Sequence, residues 1–152
     1  MKRLHGDATA TVDATTEDCL SVLAAVDQYP VWYPDVVRDA EVLATGQDGL
    51  PTRAQVTLHV SRGPLQKDFK LLMEVCVAPP NKVMLARIPH DASDEEAFEV
   101  TWEIEEPGES RRIRLAVDAS LAGPRFLPLG TIGDDLAAGF VSAVARALQP
   151  EA

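Results

Sequence analysis

The sequence predicts an α+β fold in which seven antiparallel strands form a curved sheet around one long C-terminal helix. Three observations predict it. Seven segments are strand-like, and in several of them apolar and polar residues alternate with a period of two. Turn residues between the last six segments are compatible with short connections between antiparallel neighbours. The only long helical pattern comes last. A chain of 152 residues suits one domain of this kind, which we expect to span residues 1–152.

The first strand and two short helices open the chain. Apolar and polar residues alternate from His5 to Asp13, as in a half-buried strand. Thr15 is placed to cap a helix over about residues 16–26. Prolines and aromatic residues then crowd into residues 27–36, which predicts a second short helical turn held against a core.

The six remaining strands follow in quick succession. Turns containing Gly, Pro or Asn separate most of them, as expected between antiparallel neighbours. The predicted strands are Val36–Ala44, Arg53–Ser61, Gln66–Ala78, Lys82–Ile88, Ala97–Glu105 and Arg111–Ser120.

The terminal helix is predicted from Thr131, as its N-cap, to Pro150, with Asp134 and Asp135 in its first turn. Apolar residues recur every four positions, so one face must be buried. Only this helix is long enough to cover the concave face of the sheet. A sheet bent around a helix often leaves a gap, and that gap is the predicted site.

Composition excludes several functions. The formal net charge of −10 would repel a phosphate backbone, so we expect no nucleic-acid partner. No apolar run approaches the ~18 residues of a membrane span, and the N-terminal residues lack the apolar core of a signal peptide. We therefore expect a cytoplasmic protein without integral membrane association.

Cys19 and Cys76 are predicted to be reduced, buried thiols, because both lie in apolar segments far apart in the chain. No zinc, phosphate-loop or Ser/His/Asp motif is present, and we expect no cofactor and no metal. His90 and Asp94 have a spacing that a metal pair can have, but a charged loop explains them equally well. His59 has outward strand parity.

One segment resembles a known superfamily. Asp27, Tyr29-Pro30, Trp32-Tyr33 and Pro34-Asp35-Val36 follow a strand and a short helix, as in the START and polyketide cyclase/dehydrase (SRPBCC) superfamily, which includes birch-pollen-allergen-like proteins. The similarity continues through the Gly46–Gly49 turn, the strand Phe98–Ile104 and the final helix. It implies a helix-grip fold with a deep cavity, used in that superfamily for lipids, sterols, quinones, plant hormones and polyketide intermediates.

Strand parity selects the side chains that face such a cavity. The inward rows are Ala54, Val56, Leu58 and Val60; Phe69, Leu71, Met73, Val75 and Val77; and Phe98, Val100, Trp102 and Ile104. For each residue, plain core packing stays an alternative. The predicted ligand-binding residues are Trp32, Val56, Leu58, Phe69, Leu71, Met73, Phe98, Val100, Trp102, Phe126, Leu136, Phe140 and Val144.

Polar candidates for catalysis are few. Arg87 shares parity with inward Val83 and Leu85, so it is a candidate for binding a carboxylate or polarising a carbonyl, although a solvated strand-end arginine is the alternative. Tyr33 is the second candidate. Phe126 and Leu127 form either a lid over the cavity or a dimer contact.

Three functions remain open. The first is the binding or transport of a small hydrophobic, lipid-like or polycyclic molecule by a monomer or homodimer. The second is a polyketide cyclase or aromatase, in which a few polar groups inside the cavity assist enolisation. The third is a protein-interaction module of the chaperone- or ribosome-associated type, which would expose an apolar patch.

Overall fold

The computed structural model describes residues 2–62, 64–78, 80–106, 108–121 and 129–148. Strand β1 is followed by helix α1, a single 3₁₀ turn at Val26–Gln28 and helix α2; six strands and helix α3 follow. Their bounds are β1 Lys2–Val12, α1 Thr16–Ala24, α2 Tyr29–Trp32, β2 Val37–Thr45, β3 Pro51–Arg62, β4 Leu65–Ala78, β5 Lys82–Arg87, β6 Ala97–Glu105, β7 Arg111–Leu121 and α3 Leu129–Ala147.

The strands form one antiparallel sheet in the order β1-β7-β6-β5-β4-β3-β2. Consecutive strands from β2 to β7 are neighbours, and β1 pairs along its whole length with β7, from Lys2 opposite Leu121 to Val12 opposite Arg111. The sheet curves around α3, which confirms the predicted helix-grip architecture. Phe126 and Leu127, predicted as lid or dimer contact, lie outside the described residues.

Local signals near the start of the chain are confirmed. The Thr15 hydroxyl caps α1 by accepting a hydrogen bond from the Asp18 amide at 3.1 Å. In the β2–β3 turn, Gly49 has a φ of 81°, which favours glycine, and its amide donates to the Gly46 carbonyl. Helix α1 ends two residues earlier than predicted, where the 3₁₀ turn begins.

The predicted start of α3 is wrong. The helix begins at Leu129, so Thr131 lies inside its first turn and cannot be its N-cap. Asp134 and Asp135 therefore fall beyond the first turn. Asp134 instead meets β1, where its Oδ1 accepts a hydrogen bond from the Asp7 amide at 3.3 Å.

The core lies between the concave face of the sheet and the helices. All three inward rows are buried except Val77, which is half-buried near the end of β4. The prediction of a buried Cys76 is wrong. Cys76 follows the inward Val75 along β4, so its side chain points to the outer face of the sheet. There it pairs across the strands with the exposed Met84 of β5. Cys19 is buried, and both thiols are free.

Two glycines allow α3 to lie directly on β1. A Cβ added at Gly6 would overlap the Gly133 carbonyl, and one added at Gly133 would overlap the His5 carbonyl. Both positions therefore need a residue without a side chain. This contact fixes the N-terminal half of α3 against the edge strand of the sheet.

We predict that Gly133→Ala and Gly6→Ala each lower the free energy of unfolding by about 1–3 kcal/mol, because backbone must move to admit the methyl group. At Gly133 the predicted loss is a net value. Alanine is more favourable than glycine within a helix by ~1 kcal/mol, so the cost of moving the backbone must exceed that amount. Urea denaturation of the purified variants measures it. Gly108→Ala is the control, since nothing lies within 4 Å of its added Cβ. A Gly133→Ala variant as stable as wild type would contradict the contact.

Candidate functional site

A small apolar cavity of about 30 Å³ lies between the sheet and α3. Its wall combines side chains from the 3₁₀ turn, α2, five strands and α3, and none of the lining residues is charged. Its lining residues are Val26, Tyr29, Val37, Val56, Leu58, Leu71, Met73, Leu85, Phe98, Val100 and Phe140.

Most of the wall comes from the predicted inward rows. Seven of the predicted ligand-binding residues line the cavity, namely Val56, Leu58, Leu71, Met73, Phe98, Val100 and Phe140. Phe69, Trp102, Leu136 and Val144 are buried but do not line it, and Trp32 is half-buried beside it. Phe126 lies outside the described residues. Whether any of them binds a ligand stays a prediction.

Four lining residues are absent from the predicted ligand-binding set. Leu85 shares the inward parity of Val83 on β5, as predicted, but it is not in that set. Val26, Tyr29 and Val37 come from the irregular stretch around α2, where no periodicity indicates which side chain turns inward.

Phe140 is the centre of an aromatic cluster formed with Tyr29, Trp32, Tyr33 and Trp102. Its ring centroid lies 4.6 Å from that of Tyr33, 6.1 Å from Trp102, and 6.3 Å from both Tyr29 and Trp32. All four contacts are edge-to-face, a favourable geometry for aromatic pairs. A Cβ added at Gly139 would overlap the Tyr33 hydroxyl, so glycine lets Tyr33 approach α3 closely.

Tyr29 carries the polar atom of the cavity wall. Its hydroxyl donates a hydrogen bond to the Leu23 carbonyl at 2.5 Å, and burial raises the pKa of this tyrosine. It therefore stays neutral at physiological pH. A neutral hydroxyl already bound to a carbonyl is poorly suited to acid–base chemistry.

Arg87 is neither free in the cavity nor solvated. Its Nη2 donates to the Asp94 carboxylate at 2.6 Å, and its Nη1 donates to the Glu96 carbonyl at 2.9 Å. Its side chain is 13% exposed and that of Asp94 10%. Asp94 also accepts from the His90 amide at 2.8 Å, so the spacing of His90 and Asp94 reflects a loop hydrogen bond. The guanidinium holds the β5–β6 loop.

A second, polar cleft of about 210 Å³ opens between the α2–β2 connection, β3 and α3. Tyr33 lines it, and burial, with a further contribution from Asp35, raises the pKa of this tyrosine to about 12. His59 also lines it, with Nδ1 2.5 Å from the Asp68 carboxylate on β4. The other lining residues are Asp35, Val36, Val60, Ser61, Asp135 and Leu136.

Within the described ranges, no three His, Cys, Asp or Glu side chains group closely enough to hold a metal ion. No helix among the described residues is long and apolar enough to cross a membrane. The exposed large apolar residues are separated along the described chain, with Val31 on α2, Leu43 on β2 and Met84 on β5.

Comparison with solved structures identifies the fold. A START superfamily protein from Mycobacterium smegmatis superposes with a TM-score of 0.70 at 17% sequence identity, covering 95% of this chain and 96% of that one. The chain has the helix-grip fold of the START superfamily. No protein-family model and no curated protein matches the sequence.

Two further START-like structures cover nearly the whole chain. A major latex-like protein from Panax ginseng has a TM-score of 0.64 at 11% identity, covering 97% of this chain and 99% of its own. An aromatase/cyclase from a Streptomyces species has a TM-score of 0.61 at 19% identity, covering 97% and 94%. At these identities the similarity establishes the fold of the chain.

We predict that Arg87→Met raises the pKa of Asp94 toward the ordinary aspartate value of about 3.9. The Arg87 hydrogen bond is the main cause that holds this pKa below its usual range, followed by the His90 amide. A carbon-13 NMR titration of the side-chain carboxyl groups measures the change.

The Arg87–Asp94 pair also predicts that the stability of the chain depends on pH. Because the pKa of Asp94 is lower in the folded chain, its stabilising effect is complete above about pH 4 and declines as the pH falls. Arg87→Met should therefore destabilise the chain more at pH 7 than at pH 3 in urea denaturation. Lys82→Met, which removes an exposed cation from the same strand, is the control. If Arg87→Met lowered the free energy of unfolding equally at both pH values, the Arg87–Asp94 pair would be contradicted.

Proposed function

We propose that this chain binds a small hydrophobic molecule, lipid-like or polycyclic, between the concave face of its sheet and α3. The observation that carries the proposal is the cavity at this place, whose wall is wholly apolar apart from one hydrogen-bonded tyrosine hydroxyl. Such a wall attracts apolar surface and offers no charge to bind an ionic group.

The proposed ligand needs more room than the cavity provides. Pockets for drug-sized ligands enclose roughly 300–1,000 Å³, whereas the cavity here measures about 30 Å³. Binding therefore requires side chains of the wall to move. Phe140 is the side chain that we expect to move, because it lines the cavity from α3 and stands at the centre of the aromatic cluster.

Catalysis of a cyclisation is less well supported than binding. A cyclase would need polar groups against its substrate to assist enolisation. The two candidates predicted for that role are placed elsewhere: Arg87 is paired with Asp94, and Tyr33 lines the polar cleft. None of the described charged residues is buried. We therefore propose a binding or carrier protein.

The test is a fluorescence titration with N-phenyl-1-naphthylamine, an apolar probe that becomes bright in an apolar site. We expect wild type to bind it saturably but weakly, with Kd about 10–100 μM, because the core must open. Phe140→Ala should bind it about tenfold more tightly, since the ring no longer has to be displaced. This substitution should also cost about 3–5 kcal/mol of stability.

Phe69→Ala is the matched control. It removes another phenyl ring that is 6% exposed, as Phe140 is, but one that does not line the cavity. It should lower stability comparably and leave probe affinity within about twofold of wild type. Circular dichroism verifies that each variant is folded. Absence of saturable binding to wild type, or an equal gain in both variants, would contradict the proposed site.

A further inference from the structure

Two indole N–H groups inside the fold lack a hydrogen-bond acceptor. They belong to Trp102, which has no exposed surface, and to Trp32, and they are the only buried side-chain polar atoms without a partner in the described part of the chain. Leaving a buried donor unpaired lowers the stability of a fold, and such donors are uncommon in native proteins. Their presence together in one region needs a physical reason.

Both indoles adjoin the cavity wall through Phe140. The rings of Trp102 and Trp32 contact the Phe140 ring, with centroids 6.1 and 6.3 Å away, and Phe140 itself lines the cavity. Trp32 also packs against Tyr29, another lining residue, with centroids 4.7 Å apart. Movement of Phe140 would therefore bring the cavity to the edges of both indoles.

The Trp102 indole is buried on the concave side of the sheet, next to Tyr29. Burial raises the pKa of Tyr29, and a weak hydrogen-bond donation from the Trp102 side chain to the Tyr29 hydroxyl partly opposes that rise. The contact does not meet the geometry of a full hydrogen bond, so the indole N–H has no well-placed acceptor among the described residues. An additional acceptor placed between Phe140 and Tyr29 would meet this donor.

The chemistry of the missing acceptor follows from its surroundings. An indole N–H only donates, so its partner must be an acceptor. The partner must also be neutral, because no described charged residue is buried nearby to balance an ion. Water fits poorly, since it needs two to four polar partners and the cavity wall is apolar. An oxygen attached to an apolar body satisfies all three conditions.

We propose that the ligand carries a neutral carbonyl oxygen on an apolar ring system, and that this oxygen accepts a hydrogen bond from Trp102 Nε1 when Phe140 moves aside. The proposal rests on the proposed function and narrows it to a chemical class, the apolar ketones. Among the described residues, Trp32 Nε1 is the second buried donor without a partner, and its ring also contacts Phe140.

The test compares benzophenone with diphenylmethane, which has the same two rings and lacks the carbonyl. The chain contains two tryptophans, so a proton–nitrogen NMR spectrum of the labelled wild type holds two indole signals. We expect benzophenone to bind about tenfold more tightly than diphenylmethane, the factor that one satisfied hydrogen bond supplies. We also expect benzophenone alone to shift the Trp102 indole proton downfield.

Two variants assign the donor. Trp102→Phe keeps an aromatic ring and removes the N–H, so it should bind both probes with equal affinity. Trp32→Phe should retain the preference for the ketone. If Trp102→Phe does not fold, the carbonyl assignment is still tested by the wild-type spectra and by the wild-type affinities for benzophenone and diphenylmethane.

The possible failures are distinguishable. Equal affinities for both probes with an unshifted Trp102 signal would overturn the carbonyl assignment and leave the apolar binding site standing. A downfield shift confined to Trp32 would overturn the assignment to Trp102. Absence of saturable binding by either probe would overturn the proposed function together with this inference.

Discussion

Phe140 projects from α3 onto the concave face of the sheet, where its ring contacts four other aromatic rings. This packing joins the irregular segment around α2 to β6 and to the terminal helix. It also occupies the space that a bent sheet and a straight helix leave between them. Phe140 is therefore one of the side chains that keep the cavity small, and under the proposed function ligand binding depends on whether its ring can move.

The rest of the structure keeps charge away from this interior. Arg87 and Asp94 neutralise each other beside the β5–β6 loop, and His59 pairs with Asp68 at the polar cleft. Glu105 and Glu106 pair with Arg112 and Arg111 between β6 and β7. Because none of the described charged residues is buried, the interior favours apolar partners. The two unpaired indole donors are the exception on which ligand selectivity would depend.

Much of the fold was predictable because strand alternation and turn chemistry are local signals. The β6 bounds agree with prediction at both ends, and the inward row from Phe98 to Ile104 is buried throughout. The start of α3 was not predictable in this way. Thr131 and Asp134 resemble a cap and a first turn in sequence, but the helix begins one turn earlier and Asp134 bonds to β1 instead.

The site was less predictable than the fold. Parity tells which face a side chain occupies, but it gives neither the volume that remains nor the position of Tyr29 in a proline-broken segment. The pairing of Arg87 with Asp94 could not be predicted either. Asp94 lies in the β5–β6 loop, and no periodicity in the sequence specifies the path of a loop. Cys76 was placed inside because its neighbours are apolar, although alternation along β4 turns it outward.

The most direct test of the central claim uses the methionine methyl groups. Met73 lines the cavity on β4, whereas Met84 is exposed on the outer face of β5. In a carbon-13 methyl spectrum of the wild-type chain titrated with benzophenone, a ligand between sheet and helix must shift the Met73 signal saturably and leave Met84 unchanged. A saturable shift at Met84 with Met73 unaffected would place the ligand on the outside of the sheet and contradict the account.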